Sequence, residues 1–197
     1  MAKVVLYFGS FNPIHNGHTS VARYVIQQGY CDSLWFIVSP QNPFKADSDL
    51  APECDRLEMA RIAMNEQLPE MPTEVCDVEF SLPRPSYTIV TLHVLKQRYP
   101  GDEFLLLVGT DILERLPNWK SSQELLDNFG FLVYPRDGYS VKSRKGNFTY
   151  LNEAPRWNYS STDIRNARRR GNDVSGMVCA GVVQYIKEKM LWTPQKR

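Results

Sequence analysis

The sequence contains three histidines, and two of them, His15 and His18, stand three residues apart in "GSFNPIHNGH", residues 9 to 18. Paired imidazoles can ligate a metal, bond backbone in a turn, or donate hydrogen bonds to an anion. Metal ligation from one helix face, as in H-E-x-x-H, needs a wider spacing, and the intervening Asn16-Gly17 would interrupt a helix there. Two turn histidines that only bond backbone are the plain alternative. The position of the pair favours the third chemistry. Asn12-Pro13 and Asn16-Gly17 are turn signals. From about Gly17 to Gln28, Val21, Ala22, Val25 and Ile26 then form a helical stripe. His15 therefore precedes a helix and His18 lies in its first turn, where unpaired N–H groups and the dipole attract anions. Gly9 and Ser10 let backbone amides approach such a ligand. The pair reads as imidazole donors aimed at phosphate oxygens. The loop matches neither the Walker A spacing nor G-x-G-x-x-G.

The elements that would hold this junction alternate along the chain. Val4 to Phe8 reads as a buried strand, followed by the helix ending near Gly29. "SLWFIVS" (33–39) is a second strand, and a helix runs through "APECDRLEMARIAMNEQ" from residue 51, with Pro52 in its first turn. "TEVCDVEF" (73–80) alternates as a half-exposed strand should. A helix from about Ser86 to Arg98 precedes "EFLLLVGTD", the most apolar strand. "SSQELLDNF" predicts a short helix, "FGFLVYP" and "NFTYLN" predict strands, and helices from about Ser161 to Arg170 and Val174 to Lys189 close the chain. Residues 135–147 read as an exposed connection. Strand–helix alternation of this kind predicts an α/β fold: a Rossmann-like, doubly wound, mainly parallel sheet with helices on both faces. In such a sheet, ligands bind beyond the carboxyl ends of the strands, where "GSFNPIHNGH" lies. The chain, residues 1–197, is expected to form a single domain with its C-terminal helical segment, about 160–190, packed on it.

Composition excludes several classes. Basic residues number 23 and acidic 22, for a net charge of +1, so no basic excess marks a nucleic-acid or membrane partner. A small anionic ligand needs only a few placed cations. Cys31, Cys54, Cys76 and Cys179 are far apart without a C-x-x-C pair, and are expected as reduced, mostly buried thiols. No apolar run approaches the ~18 residues of a membrane span, and none suits a signal peptide, so a cytoplasmic location is expected.

The stretch Ser10 to His18 resembles the [ST]-x-x-H-x-G-H motif of the nucleotidyltransferase α/β-phosphodiesterase superfamily in a slightly longer frame. More closely, it is similar to the opening of bacterial nicotinate-nucleotide adenylyltransferases, with Phe8 where that family usually has a glycine. The likeness continues in order. "SPQNPFK" resembles the segment after the second strand, with Pro43 and Lys45 in place and Phe44 replacing a histidine. "DRLEMARIA" resembles an R-x-x-M helix, in which Arg56 reads as a helix-surface arginine. "RPSYTIVTL" resembles S-Y-T-[IV]-D-T-L, with Val90 for the aspartate and Ser86 as the expected helix cap. "LLLVGTD" and "LPNWK" match G-x-D and L-x-x-W, and "YSSTDIR" resembles the superfamily's second signature, with Tyr159 for a branched aliphatic. Arg168, Arg169 and Arg170 read only as cations at a helix C-terminus before Gly171.

The resemblance implies transfer of AMP from ATP to nicotinate mononucleotide, giving deamido-NAD and pyrophosphate in NAD biosynthesis. It implies His15, His18, Lys45 and Arg165 as catalytic groups. ATP would lie against Gly9, Ser10, Phe11, His15, His18, Gly109, Asp111, Ser160, Ser161, Thr162 and Arg165, with Ser161 or Thr162 capping the helix. Asp111 would meet a ribose hydroxyl or a ligand-bound cation. Nicotinate mononucleotide would meet Asn12, Lys45, Tyr87, Thr88, Trp119 and Arg136. Mg²⁺ is expected to arrive with ATP, its ligands largely phosphate and water, with no metal site built from protein side chains. The alternatives are the nicotinamide mononucleotide substrate, a phosphopantetheine adenylyltransferase, whose chains usually lack "LPNWK", and a non-catalytic nucleotide-binding module. No nucleic-acid or membrane partner is implied.

Overall fold

The computed structural model describes residues 1–41, 49–139 and 146–194. Its sheet has six strands: β1 (Lys3–Gly9), β2 (Ser33–Val38), β3 (Thr73–Cys76), β4 (Glu103–Gly109), β5 (Gly130–Tyr134) and β6 (Phe148–Tyr150). All neighbours are parallel, in the order β3-β2-β1-β4-β5-β6. The order reverses between β1 and β4, and a doubly wound sheet binds its ligand at that reversal.

Among the described residues there are seven α-helices, of which α1 (Asn16–Gln27), α2 (Glu53–Gln67), α3 (Thr88–Arg98), α4 (Thr110–Leu113) and α5 (Ser122–Asn128) connect strands, and α6 (Ser161–Arg169) and α7 (Ala180–Glu188) follow the last strand. Alternate residues of each central strand point to opposite faces, so each strand feeds two cores. Val5, Tyr7, Phe36, Leu107 and Leu132 pack with Val21, Ala60, Ile164 and Val182, beneath α1, α2, α6 and α7. Val4, Leu6, Ile37, Leu106 and Val133 pack with Leu92, Leu113 and Leu125, beneath α3, α4 and α5. Burial on both faces explains the continuous apolar runs of these strands.

Several boundaries differ from the sequence reading. "TEVCDVEF" is strand only to Cys76, and Val78–Ser81 coils into a 3₁₀ turn, burying Val78 and Glu79. Helix α3 starts at Thr88 rather than near Ser86, and Asp111 lies in the first turn of α4 rather than ending β4. The last helix begins at Ala180, because Val174–Cys179 is turn and coil. The cysteines are free thiols, but three are half-buried and Cys54 is exposed, against the expectation of mostly buried thiols. No helix is long and apolar enough to cross a membrane.

Candidate active site

The two histidines cap α1 reciprocally. His15 is the N-cap residue, in extended backbone, and its Nδ1 accepts from the Gly17 N–H at 3.1 Å. His18 returns the bond, its Nδ1 accepting from the His15 N–H at 3.1 Å. The arrangement is a capping box built from imidazoles. With both Nδ1 atoms accepting, the ring proton of each imidazole sits on Nε2, so each ring carries its donor on the side away from the cap. The rings stand 3.7 Å apart. His15 is 3% exposed, and burial, then the Arg136 charge, holds its pKa down to about 3. It is neutral at physiological pH.

The loop before them is held tightly. Phe11 adopts a left-handed φ of 43° and folds its ring back under the strand end. A Cβ at Gly9 would lie 2.8 Å from that ring, so only glycine fits there. Arg56 is 1% exposed, correcting its reading as a surface arginine. Its guanidinium donates to the carbonyls of Ala51 (3.0 Å), Ser10 (2.6 Å), Ser39 (2.6 Å) and Pro40 (2.8 Å). One buried cation thereby joins the loops after β1 and β2 to the start of α2. Burial lowers its pKa to about 10, which leaves it charged.

Helix α6 points its N-terminus at the same region. Its cap is Ser160, in a reciprocal box with Asp163, and not Ser161 or Thr162 as the sequence predicts. The Ser161 Oγ donates instead to the Pro13 carbonyl at 2.9 Å, tying α6 to the histidine loop. Arg165 donates to Asp49 Oδ2 through Nε (3.0 Å) and Nη2 (2.8 Å), and to the Asn12 carbonyl through Nη1 (3.0 Å). Arg169 grips the other oxygen of Asp49, so it does more than suit the end of its helix. The two arginines hold Asp49 below its ordinary carboxylate pKa. The Asn12 side chain donates to the Asp49 carbonyl and accepts from the Ala51 N–H. It lines the half of the cleft beside α6, away from Tyr87, Thr88 and Trp119.

The other half is bounded by α3 and the loop after α4. Ser86 does not cap α3. Its hydroxyl donates to Glu79 Oε2 at 2.7 Å, and Thr91 donates to Oε1 at 2.8 Å. Glu79, 2% exposed, thus braces the first turn of α3 from below. Tyr87, Thr88 and Trp119 face this half together, with Lys120 Nζ 4.5 Å over the Tyr87 ring. Gly109, Asp111 and Arg136 lie at the ends of β4 and β5, with Arg136 Nε 3.9 Å from Asp111 Oδ1.

The two halves enclose 280 Å³ and 360 Å³. They share Ser10, His18, Arg136 and Ser161. One half is aromatic and the other is lined by an arginine and a helix N-terminus, so His18 stands where two unlike ligands would meet. Lys45 and Phe44 lie outside the described residues. Asp49, Glu79, Tyr7 and Tyr134 line the cleft and were not singled out from the sequence. Their only signal was polar or aromatic chemistry; Glu79, Tyr7 and Tyr134 are buried and Asp49 is half-buried.

Among the described residues no three His, Cys, Asp or Glu side chains are grouped to hold a metal ion. The cleft carboxylates are each engaged: Glu79 by two hydroxyls, Asp49 by two arginines, Asp111 beside Arg136. This donor set fits a cation carried by a polyphosphate better than one held by the protein.

The class that this sheet and cleft define is a nucleotide-binding α/β transferase, and the cytidylyltransferase-like family model matches residues 6–167. Relatives named probable nicotinate-nucleotide adenylyltransferase include one from Bacteroides fragilis, 43% identical over 185 residues, covering 93% of this chain and 90% of the relative. One from Flavobacterium johnsoniae is 36% identical over 187 residues, covering 93% and 95%. The Plasmodium falciparum nicotinic acid mononucleotide adenylyltransferase, solved in complex with NaAD, shares the fold with a TM-score of 0.83 over 98% of both chains at 18% identity. The chain belongs to the cytidylyltransferase-like family, in its nicotinate-nucleotide adenylyltransferase branch.

Proposed function

We propose that this chain transfers AMP from ATP to nicotinate mononucleotide, releasing pyrophosphate and forming deamido-NAD for NAD biosynthesis. The observation that carries this reading is the two-part cleft with His18 at its seam. The aromatic half, with Trp119 and the first turn of α3, suits a pyridine ring whose carboxylate meets backbone N–H groups. The half beneath α6 suits a triphosphate.

The attacking group is a phosphate monoester, already ionised at neutral pH, so the chain need supply no nucleophile and no strong base. It has to align that oxygen with the α-phosphorus and neutralise the charge that develops there. The P–O bond to pyrophosphate breaks as the mononucleotide's oxygen bonds to phosphorus, directly and in line. His18 Nε2–H donates to the α-phosphate. His15 Nε2–H, the α6 amides and Arg165 hold the β and γ phosphates, with Lys45 acting on the same charge. For Arg165 this requires the triphosphate to share or displace Asp49. Mg²⁺ bound to ATP would offset further charge on the triphosphate. A cytoplasmic site of action is part of the same proposal.

Mixing the purified protein with Mg²⁺, ATP and nicotinate mononucleotide should release pyrophosphate and form the dinucleotide. ATP alone should release none, and nicotinamide mononucleotide should react more slowly. No release with either mononucleotide would overturn the reading in favour of a nucleotide-binding module.

A further inference from the structure

The half of the cleft beside α6 already holds an anion of its own. Asp49 lines it together with Arg165, His15 and the first turn of α6. Its carboxylate is divided between two arginines. Oδ2 accepts from Arg165 Nε at 3.0 Å and Nη2 at 2.8 Å, while Oδ1 meets Arg169. Bonds from Arg169 and then Arg165 hold its pKa below the ordinary carboxylate value, so it is charged at neutral pH. Arg165 also donates through Nη1 to the Asn12 carbonyl at 3.0 Å. Each of its three side-chain nitrogens is therefore engaged within the protein. A phosphate can take the Nε–Nη2 edge only by replacing Asp49 there.

The geometry decides which anion is the stronger partner. Asp49 offers that edge a single oxygen, shared between two N–H groups. A phosphate can offer two oxygens, one for each nitrogen, which matches the guanidinium fork better. A triphosphate also carries several charges against one, and the α6 N-terminus lies beside it. The ion pair is not sealed from water: the Asp49 side chain is 36% exposed and that of Arg165 11%. Breaking it therefore costs little. Arg165 keeps its position when Asp49 leaves, because the Asn12 carbonyl still holds Nη1. The Asp49 carbonyl accepts from the Asn12 side chain at 2.8 Å, which anchors the backbone. Only the carboxylate has to turn away.

We propose that Asp49 is a resident counter-anion: the incoming triphosphate displaces its carboxylate from Arg165, and the carboxylate returns as pyrophosphate leaves. Competition of this kind keeps polyphosphate affinity low enough for the product to escape. The proposal rests on the adenylyl-transfer reading above. It is tested with Asp49→Asn, which keeps the shape and removes the charge, and with Asp49→Ala. Each is titrated calorimetrically with pyrophosphate, ATP and nicotinate mononucleotide beside the wild type. Both variants should bind pyrophosphate and ATP about fivefold more tightly, with nicotinate mononucleotide within twofold. Pyrophosphate should also raise the melting temperature of Asp49→Asn by more than that of the wild type. Unchanged or weaker pyrophosphate binding would overturn the proposal, because Asp49 would then only fix Arg165 in place. Equal tightening for all three ligands, the mark of a general change in charge, would overturn it too. A wild-type protein that binds neither ATP nor pyrophosphate would overturn the adenylyl-transfer reading along with it.

Discussion

His15 serves as a helix cap and as a candidate phosphate donor, and asparagine at that position separates the two. His15→Asn keeps an acceptor for the Gly17 N–H but has no counterpart of Nε2–H. Asparagine and aspartate lead the N-cap preferences, whereas loss of a cap costs about 1 kcal/mol. His15→Asn should therefore be more stable than His15→Ala by about that amount in denaturant unfolding, while both lose turnover. Full activity in His15→Asn would sink the donor role. Burial of neutral His15 also sets a pH dependence. Its folded pKa of about 3 lies below the ordinary value of 6.5. Between those values the unfolded chain binds a proton that the folded chain refuses. This contribution is complete above pH 6.5 and is lost as pH falls toward 3, at up to about 1.4 kcal/mol per unit. The slope of stability against pH between 7 and 5 should be shallower in His15→Asn, and an identical slope would contradict it.

At the scale of elements, Arg56 and Glu79 hold loop and helix ends that face the cleft. Arg56→Ala would strip one donor group from four backbone carbonyls. It should destabilise the protein by at least about 3 kcal/mol, and lysine should not restore it, since an ammonium lacks the planar fork. An unchanged melting temperature in Arg56→Ala would contradict the clamp. Glu79→Ala would free Ser86 and Thr91, loosening the first turn of α3 beside the half of the cleft proposed to take the pyridine ring. Its KM for nicotinate mononucleotide should rise about tenfold, with the KM for ATP within twofold. Equal changes in both would place Glu79 in general stability instead. These are the parts least legible in the sequence. The histidine turn and the α6 cap region could be found because local spacing and turn chemistry reveal a helix start, whereas Asp111 is reached through the G-x-D resemblance and expected at a strand end rather than in α4. Arg56 could not, since nothing local distinguishes an arginine that points outward from one that reaches three other segments. The hydroxyls of Tyr7 and Tyr134 bond each other across 127 positions of sequence, and only strand order brings them together. Ser86 read as a cap because its local alternative, a buried carboxylate seven residues earlier, depended on the chain turning at Val78–Ser81.

Across the whole molecule, the alternation of strands and helices was enough to give a parallel doubly wound sheet, because burial on both faces imposes continuous apolar runs. The C-terminal segment is bound into that sheet's helical layer. The Asn16 N–H donates to the Met177 carbonyl, Gly181 N–H to Glu66, and Tyr185 to Asp55. We propose on these contacts that the chain unfolds as one cooperative unit. Circular dichroism and tryptophan fluorescence should give one midpoint, and two separate midpoints would contradict it. The central claim concerns the seam of the cleft, where His18 lines both halves and is proposed to meet both substrates. It is tested most directly by measuring kcat for His18→Ala beside the dissociation constants of ATP and nicotinate mononucleotide. Loss of a donor to the transition state predicts a fall in kcat of about 10²–10³, with each dissociation constant within a few-fold of wild type. Wild-type turnover in His18→Ala would contradict the account.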